Sequence, residues 1–183
     1  MYFIKRTLAL AIVMLMLLSL LSCSERRNST DERDYTGYIA EVSYAEGNMP
    51  SLESLGEYES ISVSRKTTKH ILWSDTDTVA LTVKYDDETF SEAKERLYSE
   101  YSLLTSEREY LSDIEASVNG FDIRIVDKEE DLMEKYGYYY PKCFLMVGSN
   151  DSTQSIVYLF HYDLDLDKID DLDEFIATYY SLV

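Results

Sequence analysis

The sequence predicts an α+β fold, with one antiparallel, twisted β-sheet and two or three helices packed on one face. Three observations lead there. Stretches alternating polar and apolar residues, the period of a half-buried strand, recur along the chain and pair into hairpins. Strand patterns run together while helical patterns stand apart, which argues for antiparallel pairing rather than repeated βαβ units. Two segments instead repeat apolar residues at spacings of three and four, the period of an amphipathic helix.

Taken in order, Tyr38 to Tyr44 fits helix or strand equally, and Ser51 can open a short helix before Tyr58. Glu59-Ser-Ile-Ser-Val-Ser-Arg65 alternates as a strand does. His70 to Trp73 and Thr78 to Tyr85 form two further strands joined at Ser74-Asp-Thr-Asp77. Thr89-Phe-Ser-Glu92 has capping-box spacing, and Phe90, Ala93, Leu97, Tyr101 and Leu104 follow on one helical face. Ile114–Val118 and Phe121–Ile125 flank Asn119-Gly120, the dipeptide that favours a type I′ hairpin turn. After an acidic, irregular stretch (127–136), Lys142–Val147 and Ser155–Tyr162 make a second hairpin around the Gly148 to Thr153 loop. A last helix begins near Asp170, with Leu172, Phe175, Ile176 and Tyr179 on one face and acids at its positive end.

The N-terminus carries a different message. Met1-Tyr-Phe-Ile-Lys5-Arg6 is basic, Thr7 to Leu21 is an almost unbroken apolar run, and Leu20-Leu21-Ser22-Cys23 closes it. This is the layout of a secretory signal. A membrane-spanning helix needs about 20 apolar residues, more than this run supplies. The closing four residues resemble the lipobox of bacterial lipoproteins, although Leu21 stands where Ala, Ser or Thr is more usual. That resemblance implies cleavage before Cys23 and a diacylglyceryl group on its sulfur. Two acyl chains hold a protein stably on a bilayer where one does not. The expected organisation is therefore a signal over residues 1–22, a lipidated Cys23 with a flexible linker to residue 37, and one α+β domain over 38–183. The segment from Ser24 to Asp34 has no apolar residue, so it reads as a spacer that buries too little surface to order itself. Localisation follows from the anchor: the cell membrane, outside the cytoplasm.

Composition narrows the function further. The formal charge is −18. Loss of Lys5 and Arg6 with the signal leaves 15 basic residues against 35 acidic ones and a mature charge of −20. So acidic a chain repels phosphate backbones and anionic headgroups, which excludes nucleic acid as a partner. The remaining 161 residues suffice for one domain with a real core. With Cys23 lipidated, Cys143 stands alone in an apolar run, where a cysteine behaves as a small buried hydrophobe. His161 is the one conceivable partner for a thiolate. No HExxH, GxSxG, phosphate-binding glycine loop or CxxC occurs.

Two stretches carry candidate binding chemistry. Asp163, Asp165, Asp167, Asp171 and Glu174 fall at positions one, three, five, nine and twelve of a loop that resembles an EF-hand calcium site. Lys168 stands where that motif needs glycine, and Asp170 where it has an apolar residue. The same pattern fits a strand end with aspartates facing water, followed by an acid-capped helix. Calcium is the only cofactor the sequence raises. Tyr138, Tyr139 and Tyr140, before Pro141, offer rings for stacking on a sugar or a peptide, although tyrosine equally suits half-buried sheet positions. The expected function is a non-enzymatic binding role at the envelope, toward a protein or a glycan. A small carboxylate-based hydrolase is the enzymatic alternative.

Overall fold

A computed structural model describes residues 23–69, 76–127, 143–163, 166 and 168–182. The fold is α+β: a seven-stranded sheet in which every neighbouring pair is antiparallel. The strands are β1 (Cys23–Ser29), β2 (Ser60–Lys69), β3 (Thr76–Lys84), β4 (Glu115–Val118), β5 (Phe121–Ile125), β6 (Cys143–Asn150) and β7 (Ser155–Asp163), in the spatial order β1-β2-β3-β7-β6-β5-β4. The helices are α1 (Glu32–Glu41), α2 (Phe90–Glu100) and α3 (Leu172–Tyr179), with a single 3₁₀ turn at Leu52–Leu55 capped by Ser51.

Both faces of the sheet are covered. Val63, Val79, Leu81, Leu145, Tyr158 and Phe160 pack under Tyr35 and Tyr38 of α1 and Ala93 and Leu97 of α2. Two helices thus share one face. The third, α3, lies on the opposite face, where Leu172 and Ile176 meet Ile123, Met146, Val157 and Leu159. A strand buried on both sides loses alternation, which is why β6 is buried at all eight positions.

The hairpin at Asn119-Gly120 is as expected: Val118 pairs with Phe121, and φ is 52° at Asn119 and 81° at Gly120. The second hairpin is longer than its sequence pattern, since β6 continues through Gly148 to Asn150. Asn150, buried, accepts from Ser152 and Thr153 and donates to the Asn119 carbonyl, so one side chain ties both turns together.

Three local expectations change. Thr89 does not cap α2; it makes no side-chain capping bond. Asp86 takes that role, its carboxylate accepting from the Glu88 N–H (3.0 Å), the Thr89 N–H (2.8 Å) and the Thr89 hydroxyl (2.7 Å). The ambiguous Tyr38 to Tyr44 stretch is the end of α1 and the turn after it. The polar stretch after Cys23 is an edge strand, β1, and α1 begins at Glu32, so the folded unit extends to residue 23. From Ser24 to Ser29, β1 has no apolar side chain to bury. Its order comes from the backbone ladder with β2, and from Arg26, which donates to Ser181 and to the Tyr179 carbonyl (3.3 Å).

Candidate binding site

Register determines which side chains share a face at the Cys23 end of the sheet. Glu25 lies opposite Thr67, Thr67 opposite Asp77, and Asp77 opposite Tyr162. One row further in, Arg27 lies opposite Arg65. By the alternation of strands these residues point to the face that carries α1, and they lie beyond its last residue, Glu41. Polar residues therefore occupy positions that are apolar deeper in the sheet.

Arg65 is the centre of this patch. Its side chain is only 14% exposed and forms ion pairs with Glu41 and, at 3.4 Å, with Asp77. The Thr67 hydroxyl donates to the same Asp77 oxygen at 2.5 Å. Arg27 pairs with Glu25 at 2.8 Å. Glu41 is the last residue of α1, at the negative end of the helix dipole, and α1 has no basic residue in its last turn. Arg65, reaching up from the sheet, supplies that missing cation. Its Nε is buried without a hydrogen-bond partner. Together Glu25, Arg27, Glu41, Arg65 and Thr67 line a cavity of about 200 Å³.

Beside the cavity stands a ring pair. Tyr44 follows α1, is 45% exposed, and lies 5.8 Å from Tyr162 between centroids, with a 33° tilt between the rings. Its φ of 66° is left-handed, a conformation that costs a residue with a Cβ about 1–2 kcal/mol. Asn48 steadies the turn by donating to the Tyr44 carbonyl at 2.7 Å. Mixed donors and acceptors beside an exposed aromatic ring are the elements with which proteins hold a polar ligand in place.

The residues singled out by sequence are less concentrated. Cys23 opens β1, its Cα opposite that of Lys69. Tyr138, Tyr139 and Tyr140 lie outside the described residues, as do Asp165 and Asp167. Asp163 ends β7 and accepts from the Thr76 hydroxyl at 2.7 Å. Asp171 caps α3 by accepting the Glu174 N–H at 2.9 Å. Asp163, Asp171 and Glu174 do border one cavity, of about 350 Å³, but Lys168 also lines it, paired with Asp170 at 2.8 Å. Among the described residues no three metal-ligating side chains converge.

Cys143 and His161 are separated by the sheet itself. Cys143 pairs with Tyr162 and Phe144 with His161, so the thiol and the imidazole face opposite sides. Cys143 is buried in the core beneath α1 and α2. His161, 1% exposed, sits among Phe144, Phe175 and Tyr179 with both ring nitrogens unpartnered. Burial lowers its pKa to about 4, against a smaller opposing effect of Asp163. The geometry leaves neither residue placed to activate the other.

No known protein family, curated protein or solved structure matches the chain.

Proposed function

We propose that the protein is a lipid-anchored lipoprotein of a bacterial envelope with a non-enzymatic binding role, and that the Arg65 patch is its binding surface. The observation that carries this reading is the lipobox-like close of the apolar run. Leu20-Leu21-Ser22-Cys23 predicts a mature chain starting at Cys23, and Cys23 lies within β1. The residue that would receive the lipid is therefore part of the sheet. A diacylglyceryl group on Cys23 would tether the chain to the membrane.

A binding role rather than turnover is supported by the character of the patch. Its charges are already satisfied by one another, a preorganised arrangement that holds a ligand without offering a free nucleophile or base. Metabolic labelling with a fatty-acid analogue tests the anchor. The native chain is expected to incorporate label, and the Cys23→Ala chain to incorporate none. Equal labelling of the two would remove the reading.

A further inference from the structure

We propose that the Tyr44–Arg65 patch holds the uncharged glycosyl headgroup of a membrane lipid; this rests on lipid attachment at Cys23. Position is the first argument. The row Glu25–Thr67–Asp77–Tyr162 lies two residues in from the row containing Cys23, about 7 Å along the strands. No spacer separates Cys23 from β1, so the anchored chain carries this row at the bilayer surface. Headgroups are the molecules concentrated there, while a ligand held deeper in the envelope would be out of reach.

Charge is the second argument. The patch contains both signs, and each cation is already paired: Arg27 with Glu25, and Arg65 with Glu41 and Asp77. An anionic headgroup would have to displace those carboxylates and approach a mature chain of charge −20. A cationic group would have to displace guanidinium groups. Hydroxyls avoid both costs, because each donates to a carboxylate oxygen and accepts from a guanidinium N–H. The row spans three strand spacings, about 14 Å, enough for more than one sugar ring.

The third argument is Tyr44. A bulky residue held at φ 66° with an exposed ring is a strained choice where glycine would be relaxed. Such strain persists where the side chain is needed. The Tyr44 ring, tilted against Tyr162, offers the apolar face on which the C–H face of a sugar stacks.

The experiment uses the full chain purified from membranes and reconstituted in nanodiscs of phosphatidylcholine, alone or with diglucosyl diacylglycerol or phosphatidylglycerol. Hydrogen exchange of the 43–48 turn is the readout, and intact mass of the same sample reports the lipid on Cys23. The expected result is exchange slowed several-fold by the glycolipid only, with the effect lost in Tyr44→Gly while its melting temperature is kept or raised. That variant removes the ring and relieves the backbone, so loss of binding cannot reflect misfolding. Slowing by phosphatidylglycerol would overturn the neutral-sugar assignment. Equal slowing by the free diglucoside over phosphatidylcholine would overturn the membrane source. No slowing on a lipidated chain would overturn this inference alone, whereas a chain without lipid would overturn the anchor beneath it as well.

Discussion

His161 carries two ring nitrogens into a pocket of aromatic rings that offers neither a partner. Only the neutral imidazole suits such a site, so the folded chain resists protonation there. Its pKa falls from the ordinary 6.5 to about 4, chiefly through loss of water, with Asp163 opposing. The sign follows directly. Between pH 6.5 and 4 the unfolded chain binds a proton that the folded chain refuses, so stability falls as pH falls through that window. Above it the contribution is complete, and below it no further loss occurs. The size is about 3 kcal/mol, from roughly 1.4 kcal/mol per pH unit. His161→Leu should flatten the slope relative to the native chain in urea unfolding measured across these pH values. Identical slopes would mean that His161 is hydrated or partnered. The sequence marks His161 as one of only two histidines, but nothing local shows that Phe175 and Tyr179 of a later helix would enclose it. Tyr44 was equally hidden: among 17 tyrosines its distinction is a backbone angle, which no residue type encodes.

At the scale of single elements, the choice of helix cap separates two readings of the same four residues. Asp86-Asp-Glu-Thr89 precedes α2, and three donors converge on the Asp86 carboxylate. Those bonds hold the Asp86 pKa below the usual carboxylate range. Asp86→Ala is expected to lower the melting temperature more than Thr89→Val, because Thr89 spends its hydroxyl as a donor to Asp86. The reverse order would restore the capping box that Thr89 and Glu92 suggest. Most of the strands and helices were legible because their own periodicity decides them, as in the Asn119-Gly120 hairpin and α3. β1 was not, because its stabilisation is entirely external. The ladder with β2 orders its backbone, and Arg26 reaches the far end of the chain at Tyr179 and Ser181. The same geometry explains how α3 ends without a basic residue of its own. Lys66 donates to the Thr178 carbonyl at 2.9 Å, so a strand supplies the cation that the helix C-terminus favours.

Across the whole molecule, sequence pattern gives the class and antiparallel character of the sheet but not the distribution of helices over its faces. An apolar stripe demands a partner without specifying which side provides it, and here the partners divide into two cores. The candidate patch was illegible for a related reason. Glu25, Glu41, Arg65, Thr67 and Asp77 come from four separate elements, and only register brings them together. The fold has two distinct ends. Cys23, Tyr44 and the patch lie at one, and the turn at 151–154 lies at the other, beyond strands about 33 Å long. The central claim is that the patch end rests on the bilayer. It is tested most directly by energy transfer from a fluorophore on Gly47→Cys or on Thr153→Cys to acceptor-labelled headgroups in reconstituted membranes. Both positions are exposed, and a side chain at Gly47 meets nothing within 4 Å. Strong transfer from position 47 and weak transfer from position 153 is the expected result. Equal transfer, or stronger transfer from position 153, would contradict it.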